Sequence, residues 1–190
     1  MLKNIFISKV RVAILKTYLT DFNASFHVRG LVRELNEEIN AVRRELINLE
    51  EAGILRSRKE GNKLVYRVDP TCPILWELRS MFFKEAPIGQ ALTKLTKEIE
   101  GIKVIILTES YINQKYENKT DVDLLFIGDM KIRELSSAIS EIEKEMEREI
   151  RFSAIKLEDY HFARKKKEPF LMNILEKDKI IMFGQISDLL

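Results

Sequence analysis

Residues 28–68 read VRGLVRELNEEINAVRRELINLEEAGILRSRKEGNKLVYRV, and their apolar positions repeat with two different periods. Val28, Leu31, Val32 and Leu35 recur at i, i+3, i+4 and i+7, the stripe of one helix face, which predicts a helix over 28–35. The turn Asn36-Glu37-Glu38 is short, and a second helix is expected from about Ile39 to Ala52. On that helix Val42, Leu46 and Leu49 share a core-facing side, while Asn40, Arg43, Arg44, Ile47 and Asn48 fall opposite. Glu45, Glu50 and Glu51 lie on or near the same helix. Gly53 is a natural helix stop. Beyond it Ile54–Lys59 and Lys63–Val68 read as two strands around Glu60-Gly61-Asn62, where glycine and asparagine tolerate positive φ.

A helix, a short turn, a second helix with a polar outer face and a basic ribbon form a layout with a chemical use. Arginine forks to guanine and asparagine to adenine in the major groove, so Asn40, Arg43, Arg44 and Asn48 are candidates to read base edges. Arg56, Arg58, Lys59 and Lys63 on the ribbon are candidates to hold phosphates, with Arg67 on the same ribbon. The block resembles winged helix-turn-helix transcriptional regulators of the ArsR-like type. The phrase NAVRRELINLEEAGILRSRKEGNKLVYRV is similar to their recognition helix and wing, and with the helix SKVRVAILKTYL at residues 8–19 the likeness spans roughly residues 5–70. The resemblance implies an N-terminal winged helix, mainly α with a β-hairpin wing, that binds double-stranded DNA. The turn departs from the usual small polar residue and proline, carrying Glu37, Glu38 and Ile39 instead. Carboxylates there suit the helix dipole but repel phosphate, so affinity is expected to depend on a second copy.

Composition is consistent with two small domains in 190 residues, with 45% hydrophobic and 33% charged content. A net charge of +2 makes the case for nucleic acid local rather than compositional. No apolar run approaches the roughly 20 residues of a membrane span, so no membrane partner is expected. The first residues lack a signal-peptide pattern, and Cys72 is the single cysteine, which makes the cytoplasm the expected location. Cys72 has no evident base nearby and reads as inert. His27 and His161 are the only histidines and lie far apart in sequence, so no zinc site is expected.

Asp69-Pro70-Thr71-Cys72-Pro73 ends the ribbon. The next segment, Ile74–Phe83, is apolar around much of its circumference and predicts a helix buried between domains or subunits; dimerisation is the favoured reading. The expected division is residues 1–70 as the winged helix, 71–87 as linker and dimerisation helix, and 88–190 as a second domain. In the last, helices are expected at Gly89–Glu98, Ile132–Glu149 and Pro169–Leu175, with a short one at the terminus. Strands are expected at Val104–Leu107, Val122–Ile127, Ile150–Ile155 and Ile180–Phe183. Arg164-Lys165-Lys166-Lys167 reads as a basic loop.

Asp121-Val122-Asp123 opens the segment DVDLLFIG, and on a strand both carboxylates would share a face, as a divalent cation requires. The segment from strand KVIILT through Ser110 and Thr120 to Asp121 and Asp123 resembles the nucleotidyltransferase superfamily that includes polymerase β and the minimal nucleotidyltransferases. The likeness extends loosely over Ile88–Leu190 and implies an α/β domain with a small mixed sheet. The family's pattern places glycines where this chain has Glu109 and Gln114, and those glycines let the backbone approach a triphosphate. The strand IRFSAIK also lacks the third carboxylate, with Glu149 before it and Glu158 after it. Ser110, Thr120, Asp121 and Asp123 are therefore read as a vestigial site on a catalytically degenerate domain.

The expectation is a homodimeric DNA-binding transcriptional regulator with an inactive nucleotidyltransferase-like domain for dimerisation, partner binding or sensing of a protein or nucleotide effector. No catalytic residue, cofactor or metal is expected. The alternative is a Mg²⁺-dependent nucleotidyltransferase modifying a small molecule or protein, with Asp121 and Asp123 as metal ligands. A third reading is a protein-interaction module in which the ribbon and apolar helix bind a partner.

Overall fold

The computed structural model describes residues 2–189 and divides the chain into two compact units between Glu85 and Ala86. The protein is mixed α/β with one sheet in each unit. Among the described residues no helix is long and apolar enough to cross a membrane.

The first unit runs α1 (Leu2–Ile5), α2 (Lys9–Thr20), β1 (Phe26–His27), α3 (Val28–Leu35), α4 (Ile39–Glu51), β2 (Leu55–Glu60), β3 (Lys63–Val68) and α5 (Leu75–Glu85). Its strands pair antiparallel in the order β1-β3-β2, an arrangement compatible with a winged helix. Helices α2, α3 and α4 each start at a side-chain cap. Ser8 accepts the Arg11 amide at 3.1 Å, and His27 Nδ1 accepts the Gly30 amide at 2.9 Å. Asn36 ends α3 in the left-handed region at φ 52°, which asparagine tolerates better than most residues. Glu38 then does what the family's usual small polar residue would do. Its two carboxylate oxygens accept the amides of Asn40 at 2.9 Å and Ala41 at 2.8 Å, and those bonds hold its pKa below the ordinary glutamate value.

Leu31, Val42, Leu46 and Leu49 all point into one core with Ile14, Tyr18 and Leu55, as the helical stripes require. Each such side chain contributes about 1.5–3 kcal/mol relative to exposure. Gly61 and Asn62 form a two-residue turn between the paired Glu60 and Lys63, and only Gly61 takes positive φ, at 58°. That sign pattern, with glycine in the first central position, is the one a type II′ hairpin turn needs.

Helix α5, read from sequence as lying between domains or subunits, contributes Leu75, Leu78 and Phe82 to the core of the first unit. It also buries Arg79, 1% exposed, an unexpected charge in an apolar segment. The Arg79 Nε donates to the Leu19 carbonyl at 3.0 Å, in the last turn of α2, where carbonyls lack helical partners. Its guanidinium lies 3.5 Å over the Phe22 ring, with Trp76 and Phe83 at 5.4 and 5.6 Å.

The second unit runs α6 (Pro87–Glu98), β4 (Ile102–Thr108), α7 (Glu109–Asn113), β5 (Leu124–Gly128), α8 (Ile132–Met146), β6 (Phe152–Ile155), α9 (Leu157–Lys166), α10 (Pro169–Glu176), β7 (Lys179–Phe183) and a 3₁₀ turn (Ile186–Leu189). The sheet order is β6-β5-β4-β7, with β5 and β6 parallel and the other pairs antiparallel, a mixed sheet as expected. Apart from Lys103, every residue of the adjacent central strands β4 and β5 is buried. Strands covered on both faces read as continuous apolar runs, which IIL and LLFI are. Gly101, at φ 86°, passes so close to the Asp129 carbonyl that a Cβ has no room.

Three local expectations are corrected. Asp121–Asp123 precede β5, which begins at Leu124, and the Asp121 carboxylate is turned back onto the amides of Glu117 and Asn118 in its own loop. Helix α8 stops at Met146 rather than Glu149, with Glu147 left-handed at φ 51°. Arg164, Lys165 and Lys166 are the last turn of α9, not a loop, and cations there complement the helix dipole.

Candidate nucleic-acid interface

Helix α4 presents two contrasting sides. Val42 and Leu46 are fully buried, and Asn40, Arg43, Arg44 and Ile47 are exposed on the outer arc. Two of the polar residues do not behave as free surface. Asn48 is half-buried, and its Nδ2 lies 3.5 Å from Glu45 Oε2, a bond at the limit of useful geometry. Glu45 is 4% exposed and receives the Arg11 Nε at 2.8 Å. Its partner, 34 residues upstream on α2, is invisible to helical periodicity.

Burial pushes the Glu45 carboxyl up, but hydrogen bonds from Ser8 and Arg11 outweigh this and hold its pKa below the usual glutamate value. A group depressed on folding stabilises the native state above its unfolded pKa, and that contribution disappears as pH falls through the lower folded value. Stability of the first unit is therefore expected to fall on acidification below the glutamate value of 4.5, and Glu45→Gln should flatten the fall. Thermal unfolding followed by Trp76, the single tryptophan, checks this; identical pH profiles for the two proteins would refute it.

The ribbon is tied to α4 by one carboxylate. Glu50 Oε1 accepts the Ser57 amide at 2.9 Å and the Ser57 hydroxyl at 2.6 Å, which sets the ribbon's approach to the end of the helix. In the β2/β3 register Arg56 lies opposite Arg67, Arg58 opposite Val65, and Glu60 opposite Lys63, so these six share a face. Lys59 pairs with Leu64 and belongs to the other face. The four ribbon cations proposed from sequence thus divide three and one. Arg56 and Arg67, directly opposed like charges, make this face favourable to an anion, although Glu60 already engages Arg67 at 2.7 Å.

In the second unit, Ser110, Thr120 and Asp121 line one small cleft with Glu109, Asn173 and Lys177, over a floor of Val122, Phe170 and Ile174. Ser110 sits on α7 directly after β4, and Gln114 at the end of that helix is left-handed at φ 51°. The Glu109 charge is met by Lys177 Nζ at 3.1 Å, which also reaches Glu117 at 3.0 Å. Asp121 Oδ2 accepts the amides of Glu117 at 2.7 Å and Asn118 at 2.8 Å. Burial raises the Asp121 pKa, and those bonds more than reverse it, leaving it below the ordinary aspartate value.

Asp123 does not join that cleft. It is 0% exposed, with both carboxylate oxygens 2.8 Å from the Tyr116 hydroxyl, the Arg151 amide at 2.9 Å and Arg148 Nη2 at 3.4 Å. Arg148 lies 4.3 Å over Tyr111, and Arg151 4.3 Å over Tyr116. The shared face expected for the two aspartates is not realised: one carboxylate folds its own loop, and the other holds an internal cation. Among the described residues no group of three or more His, Cys, Asp or Glu is placed to hold a metal, so these residues do not fit a two-metal site. Tyr116 and Arg148 were missed by sequence reasoning, since neither belongs to the Asp-x-Asp pattern.

No protein-family model matches the sequence, and no curated protein matches it. Two solved structures are similar to parts of it. Reduced HlyU from Vibrio cholerae N16961 is 21% identical over 50% of this chain and 84% of that one, with a TM-score of 0.33. M. tuberculosis Rv0081 is 22% identical over 50% of this chain and 92% of that one, with a TM-score of 0.36.

Proposed function

We propose that this chain is a DNA-binding transcriptional regulator of the winged-helix type, in which α4 enters the major groove and the β2/β3 ribbon lies along the backbone. The observation that carries the reading is the exposed arc of Asn40, Arg43 and Arg44 on a helix joined through Glu50 and Ser57 to a basic ribbon face. Asn48 contributes less than its neighbours, being half-buried beside Glu45. Arg56, Arg58 and Lys63 hold phosphates from one face of the ribbon, and Lys59 does so from the other. Glu37 and Glu38 at the start of α4 weaken a single copy, so the chain works as a homodimer on paired half-sites.

The second unit serves as a nucleotidyltransferase-like domain without catalysis. Ser110, Thr120 and Asp121 in one cleft support the likeness, and the commitment of Asp123 to Tyr116, Arg148 and Arg151 supports the loss of chemistry. Its role is to pair copies, bind a partner or sense a small effector.

Selection of bound sequences from a random duplex pool tests the proposal. A recovered palindrome is expected, since its symmetry mirrors that of the dimer. Four phosphate contacts per copy give a slope of log affinity against log salt of roughly −3 to −4 per copy. No enriched sequence and no salt dependence would overturn the reading in favour of a protein-interaction module.

A further inference from the structure

Ile47 is 42% exposed on the arc of α4 assigned to the major groove, and it is the one aliphatic side chain among that arc's exposed readers. At 3.6 residues per turn it lies within about 20° of Asn40, 40° of Arg43 and 60° of Arg44 around the helix axis. The buried residues Leu46 and Leu49, 0% and 3% exposed, lie about 100° and 160° around the axis from it. A scattered exposed isoleucine on a solvated helix is ordinary. This one sits near the middle of the surface that must desolvate when the helix enters a groove.

We infer that Ile47 is a specificity residue that packs on the C5-methyl group of a thymine in the half-site; the inference rests on the DNA-binding reading above. An isoleucine offers no donor or acceptor to a base edge. In the major groove of unmodified DNA the thymine methyl is the apolar feature it can cover. Placed there, Ile47 gains by removing apolar surface from water; placed against the cytosine amino group or the guanine oxygen, it would strip a polar group of its water and return nothing. One helical turn, about 5 Å, separates Ile47 from Arg43 and Arg44, comparable to one or two base-pair steps. The thymine therefore lies within one or two base pairs of the guanine those arginines read.

The test replaces each thymine of a selected duplex, one at a time, by uracil, which removes the methyl group and keeps the hydrogen-bonding edge. Wild-type affinity is expected to fall about fourfold at one position per half-site, the gain from burying one methyl group. Ile47→Ala should bind the unmodified duplex more weakly, lose nothing further on uracil substitution at that position, and keep the wild-type far-ultraviolet circular dichroism. Ile47→Val, still branched and apolar, should retain part of the methyl dependence. Sequence-specific binding by wild type that is indifferent to every uracil, or an Ile47→Ala variant with undiminished methyl dependence, overturns this inference while leaving the DNA reading intact. Failure to enrich any sequence removes the DNA reading, and this inference with it.

Discussion

The double variant Arg43→Ala/Arg44→Ala binds the selected duplex at least about a hundredfold more weakly than wild type, because each lost bidentate contact to a guanine costs about tenfold or more. Both side chains are exposed on α4 and neither supports the core, so the thermal midpoint of the variant stays at the wild-type value. The loss falls on discrimination. Affinity for random duplex drops far less, because non-specific binding draws on phosphate contacts from Arg56, Arg58, Lys59 and Lys63. Fluorescence anisotropy with specific and random duplexes at one fixed salt concentration separates the two effects. Unchanged specific affinity would remove these arginines from the interface. An equal loss on both duplexes would make them phosphate contacts instead.

Asp123→Ala destabilises the second unit by about 2 kcal/mol or more, because a buried donor left without its acceptor costs roughly 1–3 kcal/mol. The substitution leaves the Tyr116 hydroxyl, the Arg151 amide and the half-buried Arg148 guanidinium facing a void where a fully buried carboxylate stood. Asp123→Asn keeps the volume and part of the hydrogen bonding but removes the charge opposite Arg148, so its loss is smaller. Urea denaturation followed by far-ultraviolet circular dichroism measures both. A loss under about 1 kcal/mol for the alanine variant would show that this network does not hold the unit together. The outcome also bears on function, because it measures how firmly Asp123 is committed to Tyr116, Arg148 and Arg151 in the two loops it joins.

Much of the first unit was legible because its signals are local. The stripe Val28, Leu31, Val32, Leu35 and the triad Val42, Leu46, Leu49 place α3 and α4, and Gly61-Asn62 marks the hairpin turn. Two of the departures, at Glu45 and Arg79, have their physical origin in contacts between residues distant in sequence. Glu45 has the position of a solvated residue until Arg11 of the packed α2 meets it, and Arg79 is inexplicable until the Leu19 carbonyl and the Phe22 ring are in place. Glu38 was read as an electrostatic liability at the turn, whereas its length lets the carboxylate cap two amides of α4.

The Asp-x-Asp pattern is the sharpest case. Spacing placed Asp121 and Asp123 on one strand face, and period two would hold if the strand began there. In the folded chain Asp121 accepts amides of its own loop while Asp123 meets Arg148, 25 residues on, so the two carboxylates have separate partners. Periodicity, turn chemistry and the polar arc of α4 are properties of neighbouring residues, and the order of the chain alone settles them. Which charges stay free to meet a partner is a property of packing, because a carboxylate or guanidinium is neutralised by whatever the fold brings within about 4 Å. The exposed arc of Asn40, Arg43, Arg44 and Ile47 belongs to both descriptions: its spacing is written in the sequence, and its exposure is left by the tertiary structure.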